Sequence, residues 1–480
     1  MASSDTVLVS LPNDWKRISV PCASNATGQS LFKLVMAALR IEEPVWFSIE
    51  VLTRKGKKHW LQAGKTLEEQ DLDLKRHVKL RVKYFPPTST IILQKNSAVT
   101  RNLLYLDIQE NVLNGNIACP TVQALQLAAF TMQAVFGDFN PAVHVAGFLD
   151  ENKEKNRANL LPRVLPDIIM KKSPEVTSAE WHRKIFELHQ RLAGWSVAKA
   201  EAGYVTVAQQ LPQYGVSFHE ILDTSNVNRM IGISLKGIHF YESSTEQPAD
   251  VSFSWSELDS TYVQGSKFAI QLKDTVMPLI TVRMKSKSDA TELLDMCIGY
   301  HMRFNRVMEQ QRIAIAQRSG NAPTPTKSGT SPNPATAAPA PAAAPAASSS
   351  AAPAADTAPI AYDETVINQE EKAEAQLQKT VLSKNDGKGT VRIKVGANLF
   401  AVSESQDDAE DLPAGLSQAR KALDEEPPAG TKDPFMNTLK RVRNAAKDAE
   451  NTFLMFAKMI EQNPDSVSDI DIDKLLGGAR

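Results

Sequence analysis

The sequence predicts a multi-domain α+β protein whose front two thirds fold as separate lobes and whose remainder is a tethered tail. Three observations predict it. Hydrophobic spacing changes by region: it is mixed over 5–85, recurs at three and four over 97–201, and returns to two beyond Tyr214. Nine of the 27 prolines, with 15 alanines, fall between Gly320 and Ile360. The net charge of -1 divides at Ser319 into 37 basic against 32 acidic residues before it and 17 against 23 from it onward, so +5 is balanced by -6. At about 150 residues per domain, the 480 residues leave room for roughly three domains. Hydrophobic and charged contents of 42% and 23% fit a soluble globular chain and exclude both a membrane bundle and wholesale disorder.

Residues 5–85 open with TVLVSL and RISVPC, which read as paired strands. SLFKLVMAALRI has helical spacing at Leu31, Leu34, Val35, Ala38 and Leu39, and WFSIEVLT and VKLRVKYF alternate as strands. That order suggests a small ubiquitin-like roll. From 86 to 205 the runs NLLYLDIQENVLNG, 121–136, AEWHRKIFELHQRLAG and AEAGYVTVAQQL are helical, with prolines at 120, 141, 162, 166 and 174 between them. Over 206–318, GVSFHEIL, RMIGISLKGIHFYE, VSFSWSEL, SKFAIQL and PLITVRMK alternate as antiparallel strands. A helix from about Ser288 to Ala316 follows, with Ser286–Asp289 and Ser288–Glu292 as candidate caps. Its apolar stripe is Ala290, Leu293, Leu294, Cys297, His301, Phe304 and Met308. Strands closed by one C-terminal helix predict a pleckstrin-homology-like sandwich.

The tract 319–361 cannot bury enough apolar surface to offset its ordering entropy, so a disordered linker is expected. Residues 362–432 are expected to be a mostly disordered acidic tail. Within it ETVINQEEKAEAQLQKTVL suggests a short polar helix and GTVRIKVGANLFAV a weak hairpin. Over 433–462, Asp433-Pro434 is a helix start, and Leu439, Val442, Ala446, Ala449, Phe453, Phe456 and Ile460 form a heptad seam that needs another surface. Residues 463–480 are expected to be disordered.

Cys22, Cys119 and Cys297 are too few and too scattered for a disulfide framework or a metal site, which points to a reducing compartment. The N-terminus lacks a signal-peptide pattern, and no stretch approaches 18 uninterrupted apolar residues, so membrane contact is expected to be peripheral. Cys297 and Arg303 outline a phosphatase nucleophile loop, but they sit within a helical pattern whose amides are already bonded. Neither an HExxH nor a GxxxxGK[ST] motif occurs, so neither an enzyme nor a cofactor is expected. A nucleic-acid reader lacks the necessary basic balance.

The succession of roll, helical lobe and sandwich resembles a FERM domain over about residues 5–316. WLQAGKTLEEQ (60–70), LRVKYFP (80–86), NLLYLDIQENVLNGNIACP (102–120), VHVAGFLDENKEKNRANLLP (143–162) and LPQYGVSFHEI (211–221) resemble talin heads most. FSWSELDS (253–260) and LLDMCIGYHMRF (293–304) are more similar to the ezrin, radixin, moesin and merlin branch. Talins carry a further lobe ahead and a helical rod behind, and neither fits here. TLKRVR (438–443) is faintly similar to the start of the ezrin-type actin-binding tail, after which the sequences diverge.

The resemblance implies a helical second lobe similar to acyl-CoA-binding protein and a third lobe similar to phosphotyrosine-binding domains. It further implies a non-catalytic cytoplasmic adaptor on the cytosolic face of the plasma membrane, associated with the cytoskeleton. Such an adaptor binds phosphoinositides and the cytoplasmic tail of an integrin-like adhesion receptor. The alternative is an ezrin- or merlin-like membrane-cytoskeleton linker, autoinhibited by its C-terminal helix through a head-tail contact. Candidate lipid ligands are Arg54, Lys55, Lys57 and Lys58, then Lys153, Lys155 and Arg157, then Lys267, Lys285 and Lys287, because several cations in one plane add up at an anionic leaflet. Candidate peptide ligands are the strand Ser260, Thr261, Tyr262, Val263 and the helix residues Leu294, Ile298, Tyr300, Met302. Asp259, Thr261 and Tyr262 stand where a talin-like strand would be basic and aromatic, and Leu294 and Ile298 also fit a sandwich core. In the tail, Leu439, Val442, Phe453, Phe456 and Ile460 are the candidate docking residues, beside the acidic runs 404–413 and 423–430.

Overall fold

Alternation of apolar and polar residues builds the first layer of the structure, a five-stranded sheet. The computed structural model describes residues 4–318 except 15, 24, 88–97, 152–157, 243–244 and 274–278, together with 390–394, 401–405, 433 and 435–444. The strands β1 (Ser4–Ser10), β2 (Arg17–Ala23), β3 (Phe47–Leu52), β4 (Lys58–Trp60) and β5 (Val78–Val82) lie in the order β2-β1-β5-β3-β4. Every second residue of β3 is buried, the pattern of a strand with one face on a core. Helix α1 (Gly28–Leu39) starts where the Thr27 hydroxyl accepts from the Ser30 amide, ends at Arg40 in the left-handed region, and buries Leu31 and Val35 in the roll.

Among the described residues the second lobe has the α-helices α2 (Ala98–Leu113), α3 (Thr121–Phe136), α4 (Asp167–Lys172), α5 (Ser178–His189) and α6 (Val197–Ala208). Thr177 and Ser196 cap α5 and α6 by accepting from the amides three residues on. Helix α2 buries Leu103, Leu104, Tyr105, Leu106, Ile108 and Val112 on several sides, so it runs through the interior.

The third lobe contains β6 (Ser217–Leu222), β7 (Asn228–Ser234), β8 (Gly237–Tyr241), β9 (Val251–Ser254), β10 (Leu258–Gln264), β11 (Lys267–Leu272) and β12 (Ile280–Arg283), closed by α7 (Lys287–Arg318). The Ser286 hydroxyl accepts from the Asp289 amide and donates to its carboxylate, so the first expected cap forms. Ala290, Leu293, Leu294, Cys297 and His301 are buried as the stripe requires. Met308 is not: it is 49% exposed, because α7 runs on past the strands it covers.

Two strands arrive from far along the chain. β13 (Thr390–Lys394) and β14 (Ala401–Ser405) pair antiparallel with each other, and β13 pairs antiparallel with β10. The sheet therefore reads β14-β13-β10-β11-β12-β6-β7-β8-β9. The hairpin expected in GTVRIKVGANLFAV forms at β13 and β14, and the weak alternation in TVRIK gains a strand's pairing from a sheet edge that only the folded third lobe supplies; the other residues of 362–432 lie outside the described residues. The expected linker and polar helix fall outside the described residues. Residues 435–444 form a helix, α8, where Asp433 accepts from the amides of Met436 and Asn437.

Candidate peptide and membrane interface

Polar contacts across the lobe seams decide which candidate side chains are available. Between lobes one and two, Arg81 donates to Asp107 at 2.5 Å and Lys79 to Glu110 at 2.9 Å, while Thr100 donates to Glu43 at 2.5 Å. Between lobes one and three, Lys83 donates to Asp295 at 2.8 Å, and the Arg303 Nε donates to the Val45 carbonyl at 2.7 Å. Helix α7 is thus a strut of the inter-lobe seam as well as a lid on its own sandwich.

That role removes part of the expected peptide groove. The Tyr300 hydroxyl donates to the Gly215 carbonyl at 2.9 Å, and its ring meets Tyr84 edge-on at 5.1 Å, so it faces the seam and not a groove. Leu294 and Ile298 are buried in the hydrophobic core and Met302 is half-buried. The strand half of the expectation stands differently. Ser260, Thr261, Tyr262 and Val263 lie side by side on β10, whose one side is paired with β11 through register partners from Leu258↔Leu272 to Gln264↔Lys267. Its other side carries β13, with Ser260↔Lys394, Thr261↔Ile393, Tyr262↔Arg392 and Val263↔Val391 in register. This edge accepts an added antiparallel strand.

The basic candidates are dispersed and mostly engaged. Arg54 lies 3.5 Å from Asp71 and Lys58 3.3 Å from Glu50 in the β3–β4 turn. Lys57 is bonded to Asp289 of α7 and Lys285 to Glu220 of β6. Lys55 and Lys267 are exposed, Lys287 begins α7, and Lys153, Lys155 and Arg157 lie outside the described residues. Exposed pairs of this kind are weak and screened, so Arg54, Lys55 and Lys58 remain exchangeable toward an anionic surface. Lys57 differs, since its partner belongs to another lobe. Beside it, burial and the nearby Lys83 and Lys57 charges push His59 down to about 4.

The tail helix occupies a surface of the same sandwich built from β7, β8 and the turn ahead of β10. Phe435, Met436, Leu439 and Val442 are buried, with Phe435 against Phe240 of β8 at 6.1 Å between ring centroids. Arg229 of β7 donates to Asp223 at 2.7 Å and to Asp433 at 2.6 Å, and its guanidinium lies over the Phe435 ring. Lys440 lies 3.3 Å from Glu242, and Arg443 is bonded to Glu257. Leu439 and Val442, two of the five tail residues named from the seam, are among the buried ones. Phe435 and Met436 complete the contact ahead of them; the seam signal missed both, because the heptad count began at Leu439. Phe453, Phe456, Ile460 and the run 423–430 lie outside the described residues.

Cys297 sits within α7 and is buried, which pushes its thiol up, so no thiolate loop forms around it. Among the described residues no group of histidine, cysteine and carboxylate side chains could hold a metal ion, and no helix is long and apolar enough to cross a membrane.

Three family models fall in order on these lobes: the FERM N-terminal domain at residues 9–73, the FERM central domain at 90–219 and the FERM C-terminal PH-like domain at 223–312. The chain belongs to the FERM family. Among solved structures, this FERM protein is similar to the FERM and C-terminal domain complex of Drosophila Merlin, at 21% identity and a TM-score of 0.57, over 64% of this chain and 99% of that one. It also matches the human Myosin 7b MyTH4-FERM domain in complex with the harmonin-a PDZ3 domain, at 15% identity and a TM-score of 0.47, over 63% and 60% of the two chains. The Dictyostelium discoideum Myosin VII MyTH4-FERM MF2 domain matches at 14% identity and a TM-score of 0.49, over 62% and 58%. At these identities the likeness is one of fold.

Proposed function

We propose that this FERM protein is a non-catalytic cytoplasmic adaptor, talin-head-like, that binds phosphoinositide membranes and captures the cytoplasmic tail of a transmembrane adhesion receptor. Its lobes are taken as 5–85, 86–205 and 206–318. The observation that carries the reading is the β10 edge, where four successive register pairs accept an antiparallel strand. Main-chain hydrogen bonds supply the affinity in that mode of capture, which fits an extended receptor tail. The membrane half rests on the exposed basic turn at Arg54, Lys55 and Lys58. Sedimentation with phosphatidylcholine vesicles carrying a few per cent phosphoinositide tests it. The double change Arg54→Glu, Lys55→Glu is expected to weaken binding more than tenfold, since each cation near an anionic leaflet counts for about 1 kcal/mol. Unchanged sedimentation removes the turn from the lipid site.

A second reading, an ezrin- or merlin-like membrane-cytoskeleton linker masked by its own tail, is favoured by one observation: α8 is docked on β7 and β8. The Merlin structure, a FERM complex with a C-terminal domain, supports it by analogy of fold. Deleting 431–480 then raises vesicle binding, and the isolated tail co-sediments with actin; failure of both returns the simple adaptor.

A further inference from the structure

Of residues 138–150, which follow α3, His144 and Leu149 are the buried ones, so an imidazole stands where an apolar anchor would. The segment is held through ring nitrogens. The Asn140 amide donates to His144 Nδ1 at 2.9 Å, and the Gly147 amide donates to His182 Nδ1 of α5 at 3.0 Å. His189 Nε2 donates to the Gly137 carbonyl at 2.8 Å, and its buried Nδ1 has no hydrogen-bond partner. An imidazole Nδ1 accepts only while it lacks a proton; protonation sets N–H against N–H. We propose that segment 138–150 is a proton-released latch: proton uptake at His144 and His182 breaks both amide bonds, and the segment lifts off the second lobe.

Charge inside this nest has little to offset it. Phe139, Phe148 and Phe186 surround the His144 ring at centroid distances of 4.8 to 5.8 Å, and the His189 ring lies 5.3 Å from it. Helix α3 carries no titratable residue. On α5, Glu180, Arg183, Lys184 and Glu187 pair among themselves, and Glu151, Arg163, Asp167, Lys171 and Lys172 are exposed. Among the described residues, the carboxylates facing the rings are Asp138 and Asp150. Asp138 accepts from Gln133 and from the Gly194 amide; Asp150 accepts from Ser178 and lies 3.5 Å from His182 Nε2. Burial holds all three imidazoles below their ordinary value, with His189 adding to the effect at His144 and Asp150 opposing it at His182. The two amide bonds are therefore complete above about pH 6.5 and weaken as the pH falls below it. A histidine held neutral in the closed form and titrating near 6.5 in the open one raises the open fraction about tenfold at pH 5.5. Opening uncovers Phe186 and carries Phe139 and Phe148 into solvent, so proton activity is converted into exposed aromatic surface.

Amide exchange of the full chain at pH 7.5 and pH 5.5, expressed as protection factors so that the intrinsic pH dependence cancels, tests the latch. Protection over 140–150 is expected to fall at least about tenfold while the amides of α2 stay protected. Unchanged protection of the segment, or loss of α2 along with it, overturns the proposal. In the double variant His144→Asn, His182→Asn, a carboxamide oxygen takes the place of each Nδ1 as acceptor and does not titrate. Its segment is expected to change less than about threefold between the two pH values, and a loss equal to the parent's overturns the proposal. The imidazole nitrogen chemical shifts of the parent give a reading that needs no variant. Protonation of His144 and His182 is expected to share its midpoint with the loss of protection. Histidines that charge while the segment stays protected, or a segment that opens while they stay neutral, overturn the proposal as well.

Discussion

Gly299 shows how a single position can hold two lobes together. A Cβ built there would lie 2.0 Å from the Tyr84 hydroxyl and 2.3 Å from its ring. Tyr84 cannot give way: Arg303 lies 3.6 Å above its ring and Tyr300 closes its edge. In an open helix, alanine would be favoured over glycine by about 1 kcal/mol, so the sign of the change is diagnostic. Gly299→Ala is expected to destabilise the FERM core by about 1–3 kcal/mol through overpacking, read as a lower urea midpoint at unchanged slope. A raised midpoint would mean that the seam yields. None of this is legible in the sequence, because the partners are more than 200 positions apart. Lys57 is hidden for the same reason: as a letter it is surface charge, and only the fold brings Asp289 beside it.

At the scale of elements, what was legible was what is local. Strands β3 and β5 and helices α1, α5 and α6 follow from spacing and caps that lie within their own residues. β10 was legible as a strand through the family resemblance and not through its spacing, because its burial does not alternate: Ser260 and Thr261 are both covered, one polar residue after another. Helix α8 was legible by its seam, yet its binding site was not, since Arg229, Phe240 and Glu257 come together only after the sandwich closes. The docked helix has a measurable consequence. Leu439 is 1% exposed, and a carboxylate there costs several kcal/mol to desolvate, more than a short helix can retain. Leu439→Asp is expected to release α8 and to speed tryptic cleavage at Lys440–Arg443 at least tenfold, leaving cleavage within α7 unchanged. A cleavage rate equal to the parent's would show that α8 is not held through this face.

Across the whole molecule, folding has put neutral histidines where charge is costly. Burial pushes His59, His219, His239 and His301 down to about 4, with neighbouring lysines adding to the effect at His59, His239 and His301. His59 sits at the seam between lobes one and three, 3.9 Å from Glu292. His239 is held between the Ser234 and Ser252 hydroxyls on β7 and β9, and His301 packs on Trp255. Unfolded histidine titrates near 6.5, so the unfolded chain takes up protons first on acidification. The stabilisation is therefore complete above about pH 6.5 and drains away as the pH falls toward 4, at a cost on the order of 1–2 kcal/mol per histidine by pH 5. Because the four sites span the sandwich and a lobe seam, the loss is expected as one cooperative fall in Tm between pH 7 and pH 5. His239→Gln, which keeps a donor and an acceptor between the two serines, should flatten part of that fall, the rest being carried by the other histidines that burial lowers, His144, His182 and His189 among them. A Tm that stays level across this range would show that the histidines are charged in the native protein, and that the seam and the sandwich accommodate them.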